Sequence, residues 1–352
     1  MSYEDICKEK IALLREKSDV NILAIETSCD ETACAVVKNG REVLSDFLHT
    51  QIPVHELYGG VVPEIASRNH TEKLPYVVNA TLKKAGLTFN DIDAYAVTYG
   101  PGLVGALLTG VSFAKALAYA DNKPLIKVNH IEGHISADYI THKDLQPPFI
   151  CLVVSGGHTN IIKVADYGKY TVLGSTRDDA AGEAFDKVAR VLGLKYPGGP
   201  NLQRLAKDGD KNAFKLPRSF RGEDHLDFSF SGLKTAIINL IHNMEQKGEK
   251  YKKEDIAAAF QAEVADVLVT NTFKAAKREG LNKIAFAGGV SANEGLRELA
   301  YKRAEGKFKL YMPELHFCTD NAAMIASAAY YRLFTDEPAP LTLNAEPSLK
   351  LF

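Results

Sequence analysis

The sequence predicts an α/β protein with a duplicated two-lobe fold, each lobe a central mixed sheet with helices against it. Three observations predict this. The chain has 352 residues, more than one hydrophobic core usually organises. A strand–polar turn–strand segment, ILAIETSCDETACAVV from Ile22, recurs as ICLVVSGGHTNIIKV from Ile150. Helical stretches and further strands follow each copy, so one architectural unit is used twice with a cleft between the copies.

Taken in order, MSYEDICKEKIALLREK reads as a short charged amphipathic helix leading into the first strand, Asn21–Glu26, a nearly continuous apolar run. The turn TSCDET follows, then ACAVVKNG and REVLSDFLH, with Asn39-Gly40 as a hairpin signal. Helices are expected at Thr71–Ala85 and Val104–Ala120, and strands at IDAYAVTY and PLIKVNH. The polar stretch Thr141–Pro148, ending in Pro-Pro, marks the lobe boundary. FICLVV from Phe149 opens the second copy, SGGHT is its turn, and NIIKVADYGKYTVLGST supplies two more strands. Helices follow at Gly182–Leu192, Gly232–His242, Lys253–Glu279 and Asn293–Arg303, with strands at NKIAFAG and KLYMP. The expected organisation is a helical extension over 1–20, a first lobe over 21–143 and a second over 144–352, with the last helix able to return to the first lobe. Loops at the strand ends would line the cleft, where ligands usually bind.

Composition narrows the function classes. Apolar residues make up 46% and charged residues 24%, ordinary for a globular enzyme. A formal net charge of −2 lacks the basic footprint of a nucleic-acid binder. A polyanion would need a local patch, such as Lys302, Arg303, Lys307 and Lys309, or a basic partner. Five cysteines with no CxxC pair argue against a disulfide framework and fit a reducing cytoplasm. No apolar run approaches the roughly 20 residues of a membrane span, and the charged N-terminus lacks the apolar core of a signal peptide. The expected location is the cytoplasm.

Chemistry concentrates in a few segments. In His130-Ile-Glu-Gly-His134 the two imidazoles are four apart and stack on one helix face. Glu132 falls on another face, unlike the base of H-E-x-x-H proteases. A third ligand could come from Asp320 in CTDNAAMIA, which alternatively reads as a helix N-cap. Two His and one carboxylate with open positions suit Fe(II), with Zn as the alternative. The expectation is that these three converge on one ion across the groove between the lobes. SGGHT (Ser155–Thr159), PGGP (Pro197–Pro200) and AGGVSAN (Ala287–Asn293) are glycine loops that let a nucleotide approach the main chain. Glu183 and Asp186 share a helix face that reads either as solvated surface or as acceptors for ribose hydroxyls. Gly100-Pro-Gly102-Leu-Val-Gly105 matches the dinucleotide pattern, but the acidic residue wanted about 20 positions on is replaced by Asn129 and His130. No Walker A motif is present.

IETSCDET (Ile25–Thr32), GGVVPEIASRNH (Gly59–His70), TYGPGLVGALLTG (Thr98–Gly110), NHIEGH (Asn129–His134), LVVSGGHT (Leu152–Thr159), AGEAFDKVARVLGL (Ala181–Leu194), YPGGP (Tyr196–Pro200), DFSFSGLKT (Asp227–Thr235), AGGVSAN and CTDNAAMIA together resemble the TsaD family, formerly Gcp, in its bacterial branch. The blocks run in family order from about residue 21 to 333. The resemblance implies an actin/Hsp70-like (ASKHA) fold and a metal-dependent acyltransferase. That enzyme moves threonylcarbamoyl from threonylcarbamoyl-AMP to N6 of adenosine 37 in tRNAs reading ANN codons, releasing AMP. It implies His130, His134 and Asp320 as metal ligands. It also implies Val153, Val154, Ser155, Gly156 and Gly157 as a substrate loop, with Asp186, Gly199 and Asn293 as further adenylate contacts. The implied partners are tRNA, a TsaB-like paralogue and a TsaE-like P-loop ATPase. Two departures stand out: the segment before Asn21 is longer than the usual family start, and Gln203 stands where the family often has an acidic residue.

An adenine amine is a weak nucleophile, so the donor must arrive activated and be held in line. Asp30, in the first polar turn, is the candidate to deprotonate or orient that amine, and no covalent intermediate on Cys29 is needed. The rival readings are a metalloprotease, the older family label, an actin-like small-molecule kinase, and a non-catalytic nucleotide-binding scaffold.

Overall fold

A computed structural model describes residues 2–218, 220 and 224–351. In chain order the elements are α1 (Tyr3–Glu16), β1 (Asn21–Glu26), β2 (Glu31–Lys38), β3 (Glu42–Thr50), α2 (Ile52–Glu56), α3 (Pro63–Ala85), β4 (Ala94–Gly100), α4 (Val104–Ala120), β5 (Leu125–Asn129) and α5 (His130–Thr141). They continue with β6 (Phe149–Val154), β7 (Thr159–Asp166), β8 (Lys169–Ser175), α6 (Ala181–Val191), α7 (Gly198–Ala206), α8 (Ser231–Lys247) and α9 (Lys253–Arg278). The last are β9 (Lys283–Ala287), α10 (Glu294–Ala304), β10 (Lys309–Tyr311), α11 (Leu315–Cys318) and α12 (Ala322–Arg332), with a 3-10 turn at Gly289–Ala292 before α10. Two compact units result: Met1–Gln146 with Asp166–Lys169 and Thr319–Phe352, and Pro147–Ala165 with Tyr170–Cys318.

Each unit carries a five-stranded sheet, and the strand orders correspond: β3-β2-β1-β4-β5 in the first, β8-β7-β6-β9-β10 in the second. In the first, β1 runs antiparallel to β2 and parallel to β4; in the second, β6 runs antiparallel to β7 and parallel to β9. The duplication therefore extends from the two strand–turn–strand segments to the whole sheets.

In the first unit, β1 is apolar along its length because both faces of its sheet are covered. Leu23 and Ile25 join Leu74, Val77 and Val78 of α3 and Val111 and Ala114 of α4 in one core. By strand alternation, Ala24 and Glu26 of β1, Ala33 and Ala35 of β2, and Ala96 and Thr98 of β4 occupy the other face. There α12 packs on β1, β2 and β5, and α5 on β4 and β5. Small side chains on that face leave room for the helix pair. Within the pair, a Cβ on Gly133 would stand 2.6 Å from Ile325 Cδ1. Ser327 Oγ donates to the carbonyls of Gly40 (2.6 Å) and Ser136 (3.2 Å). The expected β2–β3 hairpin is present, with Asn39 and Gly40 at φ 51° and 68°, the left-handed pair that its turn demands.

In the second unit, Ile150, Leu152 and Val154 of β6 pack with Phe185 and Val188 of α6 and Ile256, Phe260 and Val264 of α9. Two elements differ from expectation. Helix α3 begins at Pro63 rather than Thr71, because proline at the first helical position is pre-set for helix. PGGP is not only a loop: Gly198-Gly-Pro opens α7, a helix hidden in the sequence by two weak helix formers.

Candidate metal centre and substrate loops

Helix α5 starts directly from β5, with Asn129 as its N-cap: Asn129 Oδ1 accepts from the Ile131 N–H at 2.8 Å. His130 and His134 sit one turn apart, both buried, with ring centroids 4.6 Å apart. Asp320 Oδ1 lies 3.4 Å from His130 Nε2 and 3.3 Å from His134 Nε2. One ligand atom from each of the three falls within 4.8 Å of the others. Asp320 does not cap α12; Asn321 does, accepting from Met324 N–H at 2.9 Å. That leaves the Asp320 carboxylate free to face the imidazoles. The expected bridging of two lobes does not occur: all three side chains belong to the first unit, because Thr319–Phe352 folds back onto its sheet.

The electrostatics suit a cation. Burial alone would push the His130 imidazole down, but Asp320 and Glu26 overturn that and raise it to about 10. Burial works to raise Asp320 as well, yet the two histidines hold it well below the carboxylate range. The same contest, with His130 opposing burial, leaves Glu26 lowered. For His134 burial wins, and its value falls. Both His134 nitrogens are buried and, among the described residues, accept or donate no hydrogen bond of good geometry. A neutral buried imidazole with an unused nitrogen beside a carboxylate is what a metal ligand looks like before its ion is counted. The Asp320 side chain keeps 24% exposure, so the cluster is reachable by a ligand. The group fits a metal ion.

Glu132 lies outside the converging group of His130, His134 and Asp320. Arg332 Nε donates to both its carboxylate oxygens at 2.8 Å and Nη2 lies 2.8 Å from Oε2, tying α5 to α12.

The turn between β1 and β2 is held at the carbonyls of Ser28, Cys29 and Asp30. Leu103 N–H donates to Ser28 O (2.8 Å), and Gln51 N–H to Asp30 O (3.1 Å). His70 Nε2 bonds Cys29 O at 2.9 Å, and Thr32 Oγ1 lies 2.7 Å from His70 Nδ1. A carbonyl can only accept, so His70 carries its proton on Nε2 and accepts from Thr32; burial keeps it neutral by lowering its pKa. Asp30 is half-buried in this turn. Burial, then the charge of Asp320, raises its carboxyl above the ordinary range. Burial and Asp30 push the Cys29 thiol up, which removes it as a thiolate nucleophile. Glu26, His70, Thr32 and Gln51 were not among the sequence-derived candidates. The available signal was an ionisable residue, Glu26, ending an otherwise apolar strand.

The remaining candidates lie in the second unit. Val153 and Val154 end β6 and are buried, while Ser155–Gly157 form the turn into β7, closed by Ser155 N–H to His158 O (2.8 Å). A Cβ on Gly156, Gly157 or Gly199 would meet nothing within 4 Å, so these backbones are open to a ligand. Gly182 N–H donates to Ser155 O (3.2 Å), seating the α6 N-terminus against that turn. Asp186 Oδ1 accepts from Gly198 N–H (2.8 Å), joining α6 to α7. Asn293 caps α10 through Leu296 N–H (3.0 Å) and donates to Gln261 Oε1 (2.9 Å). Gly288, at φ 87°, brings the chain against β6, where a Cβ would stand 2.5 Å from Val154 O. Gln203 accepts from Glu294 N–H at 3.1 Å, so it serves the start of α10.

Two sequence features resolve as structural. In the dinucleotide-like segment, Cβ atoms on Gly100 and Gly102 would collide with Glu346 O (2.1 Å) and Ser28 O (2.5 Å); the glycines admit the protein's own backbone. In the basic patch, Arg303 pairs with Asp266 at 2.9 Å and Lys309 lies over the Tyr311 ring. Among the described residues no helix is long and apolar enough to cross a membrane.

Comparison with known proteins bears on what this arrangement does. A family model described as "TsaD: tRNA N6-adenosine threonylcarbamoyltransferase" matches residues 42–327. A protein of that name from Clostridium perfringens (strain SM101 / Type A) is 57% identical over 331 residues, covering 94% of this chain and 98% of the relative. One from Clostridium botulinum (strain Kyoto / Type A2) is 57% identical over 336 residues, covering 95% and 99%. Among solved structures, HypF from T. kodakarensis aligns with a TM-score of 0.63 at 15% identity, over 90% of this chain and 48% of that one. Component A of the Acidaminococcus fermentans (R)-2-hydroxyglutaryl-CoA dehydratase aligns with a TM-score of 0.51 at 15% identity, over 90% and 100%. These structural likenesses speak for the fold alone, the actin/Hsp70-like duplicated α/β architecture.

Proposed function

The chain belongs to the tRNA N6-adenosine threonylcarbamoyltransferase family, and from that premise we propose that it transfers threonylcarbamoyl from threonylcarbamoyl-AMP to N6 of adenosine 37 in tRNAs reading ANN codons, at a divalent ion held by His130, His134 and Asp320. The observation that carries the reading is the convergence of those three side chains, with ligand atoms within 4.8 Å of one another. Two imidazoles and one carboxylate with open positions favour Fe(II), with Zn(II) as the alternative. When bound, such an ion supplies Lewis acidity toward donor oxygens.

The protein's own groups do the rest. Asp30, in a turn held at the Ser28, Cys29 and Asp30 carbonyls, has a carboxyl raised by burial and by Asp320; a base closer to working pH suits an amine that loses a proton during attack. Cys29 stays a thiol and takes no part in covalent transfer. Gly156, Gly157 and Gly199 offer open backbone to the adenylate, with Val153, Val154 and Ser155 leading into that loop, and Asn293 stands at the start of α10. Asp186 bonds Gly198 with one oxygen and keeps acceptor capacity for ribose hydroxyls. A protease reading loses the glutamate of its histidine motif, because Arg332 holds Glu132. A TsaB-like paralogue and a TsaE-like P-loop ATPase complete the proposed assembly on tRNA.

The test is reconstitution with a donor-forming enzyme, the partner proteins and unmodified tRNA, read by nucleoside mass spectrometry. His134→Ala and Asp320→Ala should lose both bound ion and product; full product from either variant would refute the site.

A further inference from the structure

We propose that Glu26 is the positioning residue for His130, keeping a proton on Nδ1 so that Nε2 is the nitrogen presented to the ion. The inference rests on the metal reading above and adds a residue to it. Glu26 ends β1 with its side chain wholly buried, on the sheet face that carries α5 and α12. Its Oε1 accepts from the Ser28 backbone N–H. Its Oε2 accepts from Thr98 Oγ1 at 2.6 Å and lies 3.1 Å from His130 Nδ1. Both Glu26 oxygens already accept, from the Ser28 N–H and the Thr98 hydroxyl, so the ring nitrogen they face is the donor. The opposite nitrogen, Nε2, is the one that faces Asp320, at 3.4 Å.

Glu26 is not itself in the group of residues whose ligand atoms converge; it approaches the far side of the ring. A buried carboxylate at the end of an apolar strand is costly unless every lone pair is used. Here three neighbours, on β4, on α5 and in the turn after β1, offset that cost. Ser28 Oγ, 3.2 Å from the same Nδ1, adds a second contact on that edge. His134 has no such partner among the described residues, so the orientation of the ligand pair is set through His130. Carboxylates behind ligating histidines generally fix both the tautomer and the ring plane.

The test uses the full chain and Zn(II) as a diamagnetic probe, with affinity measured by competition against a chromophoric chelator. Glu26→Gln has the same shape but sets an amide N–H against one of three donors. It should weaken Zn(II) roughly 10- to 100-fold, and Glu26→Ala at least as much. A role in filling space alone would leave the isosteric variant unaffected. Nitrogen-15 spectra of the Zn(II)-loaded wild type give a reading that needs no variant: the His130 proton should reside on Nδ1. Wild-type affinity in Glu26→Gln, or a proton found on Nε2, overturns the proposal when His134→Ala has lost Zn(II). If His134→Ala binds Zn(II) normally, the ion site itself fails and the positioning role falls with it.

Discussion

Replacing Arg332 with alanine should loosen α5 from α12 behind the His130–His134–Asp320 group. The guanidinium makes contacts at 2.8 Å to both oxygens of Glu132, whose side chain is 2% exposed against 20% for Arg332. Removing it leaves a carboxylate where water hardly reaches, a change that costs about 3–5 kcal/mol in comparable buried pairs. The parallel loss to Asp336, 3.4 Å from Nη1, adds little because that contact is longer and more open. For a unit of this size each kcal/mol moves the midpoint by about 2–4 °C, so the melting temperature of the first unit should fall by roughly 6–20 °C. Calorimetry of the metal-free protein would read the shift. The double variant Glu132→Leu/Arg332→Met should recover most of the loss, since an apolar pair of similar volume needs no desolvation. A drop of less than about 1 kcal/mol, the scale of an exposed pair, or a double variant as weak as the single one, would refute the claim that this pair clamps α5 to α12.

Asp30→Ala should abolish transfer while metal analysis finds the ion content unchanged; near-normal product would remove Asp30 from the chemistry. Glu31 is raised from 4.5 to about 8 by burial and then by Asp30. The folded chain thus keeps a proton that the unfolded chain releases. Its contribution is full below pH 4.5 and is lost as pH rises toward 8. Glu31→Gln should flatten that decline in urea midpoints of the metal-free protein; equal pH slopes would contradict the shift. Gly199→Ala should fold normally, since its Cβ meets nothing within 4 Å, and lose adenylate binding by calorimetric titration. Gly288→Ala should instead destabilise the second unit, because a Cβ there is 2.5 Å from Val154 O at φ 87°; a stable variant would show that the turn can relax.

Much of this was legible in the residues. Strand runs, the Asn39-Gly40 hairpin and helix α4 follow from periodicity and turn chemistry, which are local. The histidine pair was legible because helical spacing alone puts both rings on one face. Asp320 was legible only as one of two readings, ligand or cap, and its neighbour Asn321 turned out to take the cap. Glu26 and His70 were missed because their roles depend on partners 104 and 41 residues away, and no local pattern reports such contacts. Helix α7 was missed for the opposite reason: its local composition argues against helix, and its N-terminus is held by Asp186 from α6.

The first unit is discontinuous: α12 and Asp320 arrive only after the whole second unit has been spelled out. During synthesis at about 5–20 residues per second, the roughly 190 residues between the histidines and Asp320 take about 10–40 s. For that time the other face of the nascent sheet has α5 over β4 and β5 but lacks α12 over the alanines and the glutamate of β1 and β2. The proposed ion site is therefore complete only once translation has passed Asp320.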